Sequence, residues 1–514
     1  MGPGRAGRGL RARAVLLVRP VRHQDPDGRP SRTRRPGRGG AGVGGGAQVR
    51  GDLRPRRAHR CLPWLFDATS CHAVPTPHRG AGLLRRSPRD GDGVKAARFS
   101  SLRPLRHRQF ALVWSAALVS NIGSWMQTVA VGTLVTEMTG KASGAGFIAA
   151  AGFLPIGLLS PVGGALADRV DRRRLLMLTT LGETAAAVAL AVVYETGHAT
   201  LLTVAAPVFA GGAMAALGFP CYQAMLPELV GEEDLLGAVS LSSAQFNLGR
   251  VVGPALAGLV IHFGSYTWAF ATNAASFGAV LVALGAVHLS TPRPSDGAGV
   301  VGQILAGIRA ARAEPTCNRV LRTAFVMALA ASPFIALIPA VAVVVFHGDA
   351  GTTSLLVTAQ GVGAVVGALA ITPVAARVGR VRAVGANLVA LPATLVVYAL
   401  APTLPAAAVA LAAVGATYIG VFSGLNTLIQ LHAPPDYRGR ILSLYFVIVG
   451  IVYPLGAALQ GRVADVVGLR ATTTVGAVLL GAYVVVRMRG SPARWLQARP
   501  DVPAEPDGRR RGPR

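Results

Sequence analysis

Lysine is nearly missing from this 514-residue chain: Lys95 and Lys141 are the only two among its 51 Lys and Arg residues. Charge of either sign is scarce, at 14% of residues against about 25% in soluble proteins. The shortage excludes a string of soluble domains. With 52% hydrophobic residues and a mean hydropathy of +0.47, the chain carries more apolar surface than compact cores can hide. Lipid is the solvent such surface needs, so the composition predicts a polytopic membrane protein. Cysteine is equally sparse: Cys61, Cys71, Cys221 and Cys317 are too few and too scattered for a disulfide framework. His59, His72 and His78 lie near the first two, but the spacing fits no zinc template, and no metal is expected. A Gly-x-x-x-x-Gly-Lys-Ser/Thr phosphate loop is also absent, which excludes direct ATP drive within the chain. No nucleophile–base pair stands out, so the reading is a non-enzyme without a cofactor.

The net charge of +28 is unevenly spread. Residues 1–100 hold 22 Lys and Arg against six Asp, in a Gly-, Arg- and Pro-rich stretch without helical or strand period. Such a segment buries too little to offset chain entropy, so a disordered tail is expected. Its longest apolar run, Ala14 to Val18, is too short for a signal peptide. Three readings of this tail stand: a misassigned start with Val94 as the true first residue, an inert tail, or an arm for anionic lipid. No aromatic residues interleave with the arginines, which argues against nucleic acid.

From Phe110 onward, apolar stretches of about 20 residues recur, the length that crosses a bilayer. Spans are expected near 110–136, 145–166, 174–194, 200–223, 238–262 and 267–287. Six more follow near 323–346, 353–374, 383–402, 405–431, 440–463 and 471–488. The expected fold is all-α: an N-terminal six-helix bundle (101–287), a cytoplasmic connection (288–322), a C-terminal six-helix bundle (323–488) and a cytoplasmic tail (489–514). Arginines cluster in alternate connections, at Arg169 to Arg174, Arg293 to Arg322, Arg377 to Arg382 and Arg438 to Arg440. That asymmetry places both termini in the cytoplasm, within the inner (plasma) membrane. The 4–5 connection, with Glu228, Glu232, Glu233 and Asp234, is acidic instead. The stretches 167–174 and 375–382 align at an offset of 208, as expected of two similar halves that rock against each other.

Two segments are more specific. Gly164-Ala-Leu-Ala-Asp-Arg-Val-Asp-Arg-Arg173 resembles the signature of the major facilitator superfamily between the second and third spans, except that Asp171 stands where Gly is usual. The resemblance implies a gating latch through Gly164, Asp168, Arg169, Arg172 and Arg173; the bland reading is a topogenic basic loop. Gly249-Arg-Val-Val-Gly-Pro-Ala-Leu-Ala-Gly258 is similar to that superfamily's antiporter motif, in which Gly249, Gly253 and Gly258 pack closely and Pro254 kinks the helix. This motif is associated with exporters. Ser120 to Ala130, Pro227 to Val230, Asn247 to Gly258 and Arg438 to Tyr445 resemble the bacterial branch holding the enterobactin exporter and macrolide-efflux proteins. The likeness covers residues 100–488. Asp436, Arg438 and Arg440 join the gating set, with Asp436 and Arg438 expected to pair.

Ionisable groups inside a bilayer cost at least about 2.5–3.5 kcal/mol and are functional candidates. Arg250 falls near the midplane of the fifth span, where it either binds an anion, tunes a carboxylate, or pairs with Glu183 or carbonyls. Glu183 in the third span and Glu137 near the end of the first are the proton candidates. The resemblance makes the first, fourth, seventh and tenth spans the pocket lining. Asn121, Trp125, Gln127, Tyr222, Gln223, Asn426 and Gln430 are then candidates for substrate contact, or for helix packing alone. The expected function is a secondary active exporter, by proton antiport and alternating access, of a small amphipathic molecule such as a siderophore, antibiotic or other drug. Its expected partners are that substrate, protons and membrane lipid, and a monomer suffices. An importer, or a non-transporting sensor on the same fold, is the alternative.

Overall fold

The structure, a computed structural model, describes residues 102–287 and 300–489. The expected tail at 1–100, its Val94 start and residues 490–514 lie outside the described residues, as does 288–299 of the connection. The described residues form helices and no strand. After a short turn at Arg103–Arg106 come α1 (Arg108–Thr139), α2 (Ala142–Ala167) and α3 (Arg172–Glu195). The next run, Leu201–Phe263, is helical except at Gly231, whose φ of 74° and ψ of 175° divide it. Its arms are α4 (201–230) and α5 (232–263). Then follow α6 (Tyr266–Ala286), the connecting helix α7 (Val300–Ala313), and α8 (Pro315–Val345). The chain continues as α9 (Ala350–Val378), α10 (Arg380–Leu400), α11 (Leu404–His432), α12 (Arg438–Val467) and α13 (Leu469–Met488).

Ten of these helical runs are long and apolar enough to cross a bilayer. One of the ten is the two-armed run, and α1 adds a further helix made more polar by Asn121, Ser124 and Gln127. The result is an all-α membrane protein of twelve crossing helices in two sets of six, α1–α6 and α8–α13. In lipid only a helix satisfies its own backbone groups, which is why the apolar stretches take this form.

Three local features depart from expectation. The acidic 4–5 connection is no loop: helix continues on both sides of Gly231, a φ that a side chain would strain. Glu232, Glu233 and Asp234 therefore open α5, where carboxylates suit the positive end of the helix dipole. Asp234 is 2.8 Å from His107 Nε2 and 3.3 Å from Arg103 Nε, and Glu233 is 3.3 Å from Arg103. The second departure is α8, expected as one plain span over 323–346. It loosens into π-helical turns at Met327–Ala331 and Val341–Val345, around Pro333 and Pro339. Proline lacks the N–H that an α-turn needs, so the ladder re-pairs at longer spacing. Third, α5 keeps helical dihedrals through Pro254, so the motif expected to kink the helix does not interrupt it.

The two sets meet along α2 against α12 and α5 against α9. Small residues let the backbones touch, the usual device where lipid leaves no hydrophobic drive between helices. A Cβ placed on Gly157 would lie 2.6 Å from the carbonyl carbon of Gly450, and one on Gly461 would lie 2.8 Å from the Ala142 oxygen. Phe153 and Tyr453 meet edge-on between these helices at 5.6 Å. On the second seam, Gly258 faces Ser354 Cβ at 2.9 Å, again measured from an added Cβ. These contacts lie near mid-helix, as at Gly157, or toward the end away from the arginine clusters, as at Gly461 and Gly258. Three hydrogen bonds join the sets among the described residues: Ala142 N and Ser143 N to Asp465 Oδ1, and Arg250 Nη2 to Gln360 Oε1. Toward the arginine-rich end, from Gly157 and Arg250 onward, no hydrogen bond or ion pair links them among the described residues.

Candidate functional site

At the arginine-rich end of α2, the signature residues divide their work. Arg172 donates to the carbonyls of Ala167 at 3.1 Å and Ala224 at 3.2 Å, and pairs with Glu228 near the end of α4. Arg173 donates to the carbonyls of Leu284 and Gly285, both at 2.7 Å. These are among the last carbonyls of α6, where intrahelical partners run out; Leu284 O also accepts from the capping Val287 N–H at 3.4 Å. Asp171 accepts from the backbone N–H of Arg174 at 2.9 Å, so the residue that departs from the superfamily pattern caps α3. Asp168 and Arg169 are exposed, and the Asp168 carboxylate has no hydrogen-bond or ion-pair partner among the described residues. Around Gly164 a Cβ would meet open space. On the other set, Asp436 and Arg438 do not pair; both are exposed in water-facing positions that impose no pairing. Arg440 stacks over Tyr437 at 5.3 Å and lies against Gly307 of α7.

The second motif builds the middle of the molecule. A Cβ on Gly249 would stand 3.0 Å from Asn121 Cβ, and one on Gly253 would stand 2.6 Å from the Ile122 oxygen, so α5 lies directly on α1. That approach brings Arg250 over the ring of Trp125, 5.8 Å from its centroid, and Trp125 meets Phe246 edge-on at 5.7 Å. Pro254 has no N–H to offer the Arg250 carbonyl one turn back. Gly361 of α9 leaves that carbonyl room, with a Cβ position 3.3 Å away. The Arg250 guanidinium bonds across the sets to Gln360 Oε1 at 3.1 Å, not to Glu183. Among the described residues, the Tyr418 and Tyr453 hydroxyls lie within electrostatic range of it, and no carboxylate pairs with it.

The other candidates scatter. Gln127 accepts from Asn273 of α6 at 2.8 Å, and Glu137 accepts from the Tyr266 hydroxyl at 2.7 Å, so both tie α1 to α6. Tyr222 lies 3.1 Å from Ser242 and donates to Gln245 at 3.4 Å, clamping α4 to α5. Gln430 donates to Asn426 at 2.6 Å, and the Asn426 Nδ2 is buried without a partner. Glu183 has no partner among the described residues; it shares a helix face with Ala187, which packs on α6. Asn121 and Gln223 are partly exposed, without a side-chain hydrogen bond among the described residues.

Sequence reasoning missed Gln360, Tyr418 and Tyr453, which surround Arg250. Gln360 is the one amide side chain in Ala350–Val378, a signal that was legible but fell on a span outside the expected lining. Tyr418 stacks on Phe422 at 6.3 Å and lies 3.2 Å from Ser332, beside the first π-helical turn of α8.

A family described as transmembrane secretion effectors matches residues 99–500. The multidrug efflux pump Tap of Mycolicibacterium fortuitum is 28% identical over 386 residues, 73% of this chain and 94% of that protein. The enterobactin exporter EntS of Citrobacter koseri is 27% identical over 414 residues, covering 78% and 96%. Macrolide efflux protein A of Streptococcus pyogenes is 24% identical over 388 residues, covering 74% and 95%. Among solved structures, the inward-facing, unoccupied bacterial homolog of the lysosomal transporter Spinster matches with a TM-score of 0.59 at 14% identity, over 76% of this chain and 98% of that one.

Proposed function

The chain belongs to the transmembrane secretion effector family of the major facilitator superfamily, and we propose that it exports a small amphipathic molecule by alternating access, in exchange for protons. One observation carries the reading: among the described residues, the hydrogen bonds between the two six-helix sets lie at mid-helix and at one end only. At the other end the latch residue Asp168 has no ion-pair partner among the described residues. Arginine asymmetry assigns that free end to the cytoplasm, with both termini inside the plasma membrane. We read the arrangement as inward-facing, the state that takes substrate from the cell. Rocking the sets about the Arg250–Gln360 level closes this end and opens the other.

Proton exchange rests on chemistry. The chain has no ATP-binding loop, and an ion gradient is the remaining drive. Of the two proton candidates, Glu137 already accepts a hydrogen bond, whereas Glu183 has no such partner among the described residues and is the group to neutralise first. Named efflux relatives support the outward direction. A monomer contains both halves of the path. The test compares spent medium from a deletion strain and its complemented parent by mass spectrometry, with proteoliposomes under an imposed pH gradient as the direct assay. A compound lost outside and accumulated inside the mutant, with gradient-driven transport that vanishes on uncoupling, is the expected result. Transport unaffected by uncoupler would remove the antiport, and no transport in either assay would leave a sensor.

A further inference from the structure

Arg250 carries a permanent charge at mid-membrane, and the described residues give it no counter-ion. Its one side-chain hydrogen bond among the described residues is to a neutral amide, Gln360 Oε1, and its central carbon lies over the Trp125 ring, 5.8 Å from the centroid. A charge taken out of water is costly unless paired. Water would satisfy its hydrogen bonds but not its charge. A second observation points the same way. Gln360 is 1% exposed, and its Nε2 has no partner. Exchanging the amide atoms does not relieve this, because the guanidinium only donates and so requires the oxygen. A buried orphan donor thus stands beside a guanidinium with donors to spare, and what both lack is an acceptor. Arg250 is partly exposed whereas Gln360 Nε2 is buried, so an acceptor that reaches the guanidinium first meets the amide only as the Gln360 side chain turns.

The surroundings define the rest of the complement. Trp125 and Phe246 lie on one side, and the Tyr418 and Tyr453 hydroxyls stand within electrostatic range of the guanidinium. These flat, amphipathic groups suit an aromatic or macrocyclic body next to the charge. We infer that Arg250 and the Gln360 amide together hold an anionic group of the substrate, a carboxylate or equivalent oxyanion attached to an aromatic body. The inference rests on the transport reading above and supplies its substrate class. A bound oxyanion accepts from the guanidinium and from Gln360 Nε2 at once, taking the place of the Gln360 carbonyl. It thereby replaces the one direct hydrogen bond between the sets at this level, so that occupancy by the correct charge changes what holds the halves together.

The test uses purified full-length protein in lipid nanodiscs and a matched pair of probes, radiolabelled 1-naphthoate and its neutral isostere 1-naphthamide. Wild type is expected to bind the acid at least about tenfold more tightly than the amide. Arg250→Gln should abolish the preference. Gln360→Glu supplies a tethered carboxylate to the guanidinium; it should lose the acid about tenfold or more, keep the amide, and melt no lower than wild type. That melting result separates a filled anion site from a misfolded protein. Equal affinity for the two probes in wild type, no binding of naphthoate, or a preference that survives both substitutions would overturn the inference. Gradient-driven transport by a protein without charge preference sinks this inference alone. A charge preference in a protein that transports nothing sinks the transport reading and leaves the anion site.

Discussion

The carboxylate of Asp465, near the end of α12, accepts the backbone N–H of Ala142 at 2.7 Å and of Ser143 at 3.2 Å. It caps the first turn of α2, a helix of the other set. A cap supplied from the far half differs from a local one, because it must release when that end opens. Beside it runs an open groove of about 630 Å³, whose lining includes Lys141, Asp465 and Arg470.

Removing this cap shifts the balance between states. Loss of an N-cap costs about 0.5–2 kcal/mol, which corresponds to roughly a two- to thirtyfold shift in population. Asp465→Ala should therefore add a longer-distance population between spin labels at Lys141 and Arg462, exposed positions on opposite sets. An unchanged distance distribution would mean that the cap does not hold this end closed.

The contact of Gly157 with Gly450 makes a second prediction. A Cβ at Gly157 would sit 2.6 Å from the opposing carbonyl carbon, a separation that backbone cannot absorb without moving apart. Gly157→Val should cut transport at least about tenfold while leaving membrane insertion intact, since each set still packs within itself. Activity close to wild type would show that the seam tolerates a gap.

Asp171 offers a test with an internal control. As the cap of α3 it should cost about 1 kcal/mol when replaced by Ala but only a few tenths when replaced by Gly. Asp171→Ala should thus lower the melting temperature in detergent, and Asp171→Gly, which restores the superfamily pattern, should hardly change it. Equal losses would assign the effect to something other than capping.

Asp349, between α8 and α9, predicts a pH dependence. The backbone N–H of Thr352 donates to its carboxylate at 3.0 Å and holds its pKa below the ordinary value. A lowered native pKa stabilises the fold above the unfolded value of about 3.9. That contribution disappears as pH falls through the native value. Melting measured from pH 6 down to pH 3 should decline at the acid end, and Asp349→Asn should flatten that part of the curve.

Much of the architecture is legible in the chain itself. Apolar stretches such as 174–194 and 471–488 end within two residues of the helices observed, α3 and α13, because hydrophobic length is a local property. The motif Gly249 to Gly258 marks where α5 comes close to its neighbours. The acidic segment around Glu232 was misread as a loop for a local reason: charge suggests a connection, yet carboxylates also favour a helix N-terminus. The loosened turns of α8 were missed because proline is tolerated in membrane helices in more than one way.

What the sequence by itself determined is therefore the solvent, the helices, their grouping in sixes and the residues that allow close approach. Each follows from composition and spacing over a few turns. Only the tertiary structure decided that Arg250 meets Gln360 rather than Glu183, that Gln127 and Tyr222 brace helices, and that Asp465 caps α2 from 323 residues away. The physical reason is range. A buried charge or orphan amide is matched by whatever group the packing of distant helices brings within about 3 Å, and no pattern along the chain encodes which group that is.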